Sequence, residues 1–169
     1  PAALDYAKLA GKLELDFDTA NSGPSTESRQ VPRIRLAYLR LGWPSDVTVT
    51  AGQQSDVISP LFPSVQAHSG GLWNAGNLGD RRPQATLAYE PLWGPGRLSI
   101  AGSLGQSGAV DNNDLDANGT LDGTQSGSPM LQWRTGYGMP LWVEKRNASL
   151  GFWGHRSAET SSTAVMGEN

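Results

Sequence analysis

The chain has 169 residues, a formal net charge of −3, no cysteine and a negative mean hydropathy. The length fits one domain, the missing cysteines exclude a disulfide scaffold and thiolate metal sites, and the mildly acidic balance offers no basic surface to nucleic acid. No apolar run approaches the roughly 20 residues of a spanning helix, whereas 21 glycines and an apolar content of 37% suit a strand-built membrane protein in which only alternate residues face lipid.

The first predicted strand covers residues 8–18. Leu9, Gly11, Leu13, Leu15 and Phe17 alternate with Lys8, Ala10, Lys12, Glu14, Asp16 and Asp18, the period of two that marks a strand with one apolar and one polar face. Every position on the second face except Ala10 is charged. Such a face lines either bulk water or an aqueous lumen. Residues 19–32 read as a polar loop. The second strand, residues 33–41, sets Ile34, Leu36 and Tyr38 opposite Arg33, Arg35 and Ala37, but Leu39 and Leu41 then fall on the Arg33 face. A bulge near residues 38–40 is expected; it would also keep Arg40 out of an apolar environment.

Trp43, Pro44, Ser45 and Asp46 turn the chain into a third strand, in which Val47, Val49 and Ala51 alternate with Thr48, Thr50 and Gly52. Residues 53–82 form the longest connection and contain Val57, Ile58, Leu61, Phe62, Leu72 and Trp73. A loop of this length is uncommon without a function, and its apolar content requires it to pack on something. In a barrel it would constrict the lumen or latch onto a neighbouring subunit; in a soluble domain it would cap the core.

The stretch 85–105 organises the chain. Ala85, Leu87 and Tyr89 alternate with Thr86, Ala88 and Glu90; after Pro91, Gly94, Pro95 and Gly96 reverse the direction, Leu98, Ile100, Gly102 and Leu104 alternate with Arg97, Ser99, Ala101 and Ser103. An Asp/Gly-rich loop, residues 106–128, leads to Leu131, Trp133, Thr135 and Tyr137 alternating with Gln132, Arg134 and Gly136. A third turn near Pro140 and Trp142 precedes Ala148, Leu150 and Phe152, which alternate with Ser149, Gly151, Trp153 and His155. Trp43, Trp93 and Trp142 mark the three short turns, while the opposite ends carry long polar loops.

That one-sided distribution predicts an all-β fold: an antiparallel transmembrane β-barrel built as a meander of hairpins. Seven strands are counted. Barrels of this kind generally have an even number of at least eight and open edges are not viable in lipid, so the 169 residues are expected to be a segment of a larger barrel. The start at Pro1 without a signal segment reads as a processed or partial chain.

The alternation, the Trp-marked turns and the segment RIRLAYLRLGWPSDVTVTAGQQSD, residues 33–56, resemble trimeric outer-membrane porins. In these an Arg-bearing strand, a short turn and a strand ending in AGQ-x-S-D lead into a long loop. The resemblance implies a bacterial outer-membrane location, a homotrimer embedded in outer-membrane lipid, and passive diffusion of small hydrophilic solutes through a water-filled lumen, with no cofactor required.

Three groups of candidate residues follow. Lys12, Glu14, Asp16, Arg33, Arg35, Glu90, Arg97 and Arg134 lie on the polar faces and would line the pore, where opposed charges create a field that filters solutes; the plainer alternative is exchange of ion pairs between neighbouring strands. Trp43, Tyr89, Trp93, Tyr137 and Trp142 lie at or near the short turns and suit an aromatic belt at the membrane interface. Asp114, Asp116 and Asn118 at alternate positions, with Gly119 and Asp122 following, match the oxygen-ligand spacing of a calcium loop. The twelfth position is Gln125 rather than Glu and no helices flank it, so an acidic solvated loop is the competing reading.

His68 and His155 have no matching ligand pattern, and no nucleophile triad, phosphate-cradling loop or acid pair stands out, so enzymatic activity is not expected. The function from another class that competes with the channel is a secreted, calcium-dependent β-sandwich binding carbohydrate through exposed Trp. The two differ in where Leu13, Leu36, Leu87, Ile100 and Leu150 point: into lipid, or between two sheets.

Overall fold

The structure, a computed structural model, describes residues 6–16, 32–58, 81–107, 127–141 and 147–158. These residues form eight strands and no helix: β1 (Lys8–Asp16), β2 (Arg33–Gly42), β3 (Val47–Ser55), β4 (Arg81–Tyr89), β5 (Leu92–Trp93), β6 (Gly96–Gly105), β7 (Met130–Pro140) and β8 (Asn147–Arg156). All pairings are antiparallel, and the strands make one sheet in the order β1-β2-β3-β4-β6-β7-β8, with β5 paired to β6. The seven expected strands are present. The eighth is the two-residue β5, a tightening of the connection between β4 and β6. Each long strand joins its sequence neighbour, which is a meander, and among the described residues β1 and β8 do not pair with each other, so the sheet is not closed.

Two boundaries and the position of the bulge differ from the sequence reading. Gln53, Gln54 and Ser55 belong to β3, and Arg81 and Arg82 to β4, where they pair with each other's strand; the long connection is shorter at both ends than residues 53–82. The bulge is displaced too. Glu14 pairs with Leu36 and Leu15 with Ile34, which leaves Arg35 as the extra residue of β2. One inserted residue turns a strand's remaining side chains to the other face. Ile34 therefore shares a face with Leu39 and Leu41, while Leu36 and Tyr38, expected on the apolar side, stand on the polar side with Arg40.

Gly52 is what makes room for Tyr38. It pairs with Tyr38 in the ladder and has φ +129°, and a Cβ there would run into the Ala37 carbonyl and Tyr38 itself. The turn from β2 to β3 closes through Trp43 N–H to Val47 O (2.9 Å) and Asp46 N–H to Trp43 O (3.2 Å). Asp46 sits at φ +61°, a left-handed conformation that Asp tolerates in turns. Its carbonyl accepts the Glu90 N–H at 3.0 Å, tying neighbouring short turns together.

The two faces differ in the reverse of the soluble order. On the apolar face Leu13 is 67% exposed, Leu87 58%, Leu150 69% and Phe152 63%. On the polar face Gln132 is 0% exposed, Arg82 1% and Gln84 6%. Ladder partners share a face, so the register carries the polar phase across the sheet: Ala10, Arg40, Thr50, Thr86, Ser103, Gln132 and His155 follow one another from β1 to β8. The buried strand side chains, Thr50, Arg82, Gln84, Ser103 and Gln132 among them, lie on the polar side.

Candidate functional site

The polar face of the sheet carries three groups of charged side chains. The first is a ladder on β1 and β2. Lys12 Nζ lies 2.9 Å from Glu14 Oε2, Arg35 Nε 3.2 Å from Glu14 Oε1, Arg35 Nη1 3.0 Å from Asp16 Oδ2, and Arg33 Nη2 2.7 Å from the same oxygen. Arg33 also donates from Nε to Asp16 Oδ1 at 2.9 Å, a bidentate pair. The Arg35 bulge is the reason both arginines reach these carboxylates: without the extra residue, positions 33 and 35 could not share the face of Glu14 and Asp16 while Leu39 and Leu41 stay outside. The ladder is half open to solvent.

The second group is sealed. Arg82 on β4 grips Asp56, just beyond β3, through Nε (2.8 Å) and Nη2 (3.0 Å), and the two side chains are 1% and 0% exposed. Gln132 on β7 donates from Nε2 to Asp56 Oδ1 at 2.7 Å and accepts the Val57 N–H on Oε1 at 2.9 Å. Arg82 Nη1 donates to the Gln106 carbonyl at 2.9 Å, and Gln84 Nε2 to the carbonyls of Gln54 and Ser55 at 3.0 and 2.9 Å. A buried charge pair needs such additional bonds to offset its desolvation. Together they hold the start of the long connection, Asp56 to Ile58, against the polar face of the sheet.

The third group lies toward the short turns. Arg134 Nη2 donates to Ser99 Oγ (3.3 Å), Ser99 Oγ donates to Glu90 Oε1 (3.0 Å), and Arg97 donates to the Glu90 carbonyl while lying 3.9 Å from Asp46. Arg40, Arg134 and Glu90 border a recess of about 190 Å³ with hydroxyls of Thr50 and Thr86. All eight residues proposed from sequence as pore-lining are thus on or bonded to the polar face, but they form two separate sets. Lys12, Glu14, Asp16, Arg33 and Arg35 belong together; Glu90, Arg97 and Arg134 do not touch them.

Among the aromatics, Trp43 lies in the turn after β2, Tyr89 at the end of β4 and Trp93 in β5. Tyr137 donates its hydroxyl to the Trp93 carbonyl at 2.8 Å, and the two rings meet edge to face with centroids 6.1 Å apart. Gly96 permits this, since a Cβ there would strike the Tyr137 ring. Trp142 and the calcium-loop residues Asp114, Asp116, Asn118 and Asp122 lie outside the described residues. Among the described residues no group of three or more His, Cys, Asp or Glu could hold a metal ion.

Sequence reasoning did not single out Asp56, Arg82 or Gln84. Arg82 and Gln84 continue the polar phase of Thr86 and Ala88 backwards through β4, and that continuation was the available signal; Pro83 between them reads as a strand breaker and hides it. Asp56 had none. Comparison of the chain with protein-family models, with curated proteins and with solved structures finds no match.

Proposed function

We propose that this chain forms part of the wall of an outer-membrane channel, a porin through which small hydrophilic solutes diffuse passively. One observation carries the reading: the sheet leaves its Leu, Ile and Phe face open and carries most of its charged and amide side chains on the opposite face. Fully burying one such side chain is worth about 1.5–3 kcal/mol, so ten of them left in water would forfeit more than the roughly 5–15 kcal/mol of a domain's net stability. Among the described residues no second sheet covers the apolar face, as a sandwich would require. Acyl chains would cover it without any further protein.

In this reading the Lys12–Arg35 ladder and the Arg40–Arg134 recess line the water path, the Asp56–Arg82–Gln132 node pins the long connection against the lumen wall, and Trp43, Tyr89 and Trp93 lie at headgroup level. The remaining strands that close the barrel, and the trimer, are part of the same proposal. The test is to express the full-length protein that contains these strands with an export signal, extract envelopes with detergent, and reconstitute the product in planar bilayers. A heat-modifiable band that conducts ions is expected. Free solubility without detergent, and no conductance, would refute the channel and return the sandwich module to first place.

A further inference from the structure

Besides Leu36 and Tyr38, the polar face carries a large aromatic side chain that does not fit a plain charged lining. Trp153 on β8 pairs with Arg134 across the β7–β8 ladder and so stands on the wet side, 44% exposed, while Phe152 beside it faces outward. Next to it the wall has no side chains. Gly136 pairs with Gly151 and Gly138 follows on β7, so backbone floors a cavity of about 440 Å³ with Trp153 and Arg134 at one end and Ser99 and Ser149 at its sides. Arg134 also borders the smaller recess that contains Arg40. It is the one residue common to an aromatic, nearly featureless groove and a polar, cationic one.

The charges there do not cancel. Among the described residues, the carboxylates near Arg40, Arg97 and Arg134 are Glu90 and Asp46; Glu90 accepts from Ser99, Asp46 lies 3.9 Å from Arg97, and Arg40 makes no ion pair or hydrogen bond with another described residue. A guanidinium carries five N–H donors in a fork suited to carboxylate, and Arg134 spends one on Ser99. The groove itself supplies a Trp face and bare glycine backbone. A sugar ring would need hydroxyl partners around its rim; of the described lining residues Thr135 and Tyr137 belong to the outer face, which leaves the hydroxyls of Ser99 and Ser149, whereas an arene needs a flat apolar surface and no partners.

We propose that the two recesses form one binding station for a small aromatic carboxylate, its ring against Trp153 over the glycine floor and its carboxylate on Arg134 at the Arg40 side. The inference rests on the channel reading, since it names the solute class that such a lumen would favour.

The test uses the full-length protein that contains these strands, in detergent micelles with labelled benzoate in equilibrium dialysis, and in planar bilayers with benzoate added to the current trace. Benzoate is expected to bind and to reduce the chloride current reversibly, with glucuronate and benzyl alcohol weaker in both. Arg134→Gln should weaken benzoate binding about tenfold or more and Trp153→Leu about threefold to tenfold, with Trp153→Phe retaining most of it. Arg134→Lys and Trp153→Phe, checked for β-structure and heat modifiability, guard against a misfolded variant. Conductance with no benzoate binding, binding indifferent to Trp153 and Arg134, or a preference for glucuronate would overturn the station and leave the channel standing. Benzoate binding in a chain that does not conduct would support the site and sink the channel.

Discussion

The Lys12–Arg35 ladder and the Arg82–Asp56 node use the same chemistry, guanidinium against carboxylate, on the same face of one sheet, and differ only in burial. In the ladder the side chains of Arg33 and Arg35 are 44% and 37% exposed; in the node Arg82 and Asp56 are 1% and 0% exposed. Water screens the first and is excluded from the second. A screened pair contributes about 0–1 kcal/mol and leaves its charges available to a passing solute. A sealed pair, fully bonded, fixes a piece of chain in place. One wall thus divides its arginines between a filter and a fastener, and burial alone decides which is which.

Breaking the node should have the largest effect. Arg82→Met removes the guanidinium from the buried Asp56 carboxylate, which keeps the Gln132 amide; the expected cost is about 3–5 kcal/mol, read from denaturant unfolding of the full-length protein refolded in detergent. Adding Asp56→Leu should restore much of it, because removing both charges also removes both desolvation penalties. A loss below about 1 kcal/mol in the single variant would mean that water reaches the pair, and the contrast with the ladder would collapse.

The outer face provides the next test. Ala85→Arg, in the middle of β4 on the outer face, should cost the full-length protein about 2–4 kcal/mol on folding into vesicles, while Trp93→Arg, beside the short turn, should cost about 0–1. That gradient belongs to a bilayer. Equal costs at both positions would mean that the apolar face is not lipid-covered, and that the polar face is then no lumen.

Period-two alternation made most of this sheet legible. The phases of β1, β3, β4, β6, β7 and β8 were readable because one face is consistently apolar, and with them the ladder residues on β1 and the group around Glu90. The second strand was not, since the same residues admit a slip at any of several positions; only the pairing of Glu14 with Leu36 and Leu15 with Ile34 locates it at Arg35. The node was invisible for a different reason. Its members are 26 and 76 positions apart, and no local period links residues so distant. Trp153 was legible as a wet-face residue and still passed over, because its partner Arg134 was read as a charge alone.

A smaller effect sharpens the turn end. Tyr137→Phe removes a single hydrogen bond, to the Trp93 carbonyl, and keeps the edge-to-face contact, so a loss of about 0.5–1.5 kcal/mol is expected in the same unfolding assay. A neutral result would mean that water or a lipid headgroup already satisfies that carbonyl.

The smallest change in stability should come from the ladder, and there the channel reading has most at stake. Replacing Arg33 and Arg35 together by Gln removes both guanidinium groups from Glu14 and Asp16; since the pairs are half exposed, the combined cost should stay near 1 kcal/mol and shrink further as salt is raised. The same substitution strips two positive charges from the wall and frees two carboxylates, so the reversal potential across a salt gradient should move toward cation preference. The two readouts separate the possible roles. A ladder that only joins β1 to β2 would lose stability and leave selectivity untouched; a ladder that filters would do the opposite, keeping its fold while changing which ions it passes.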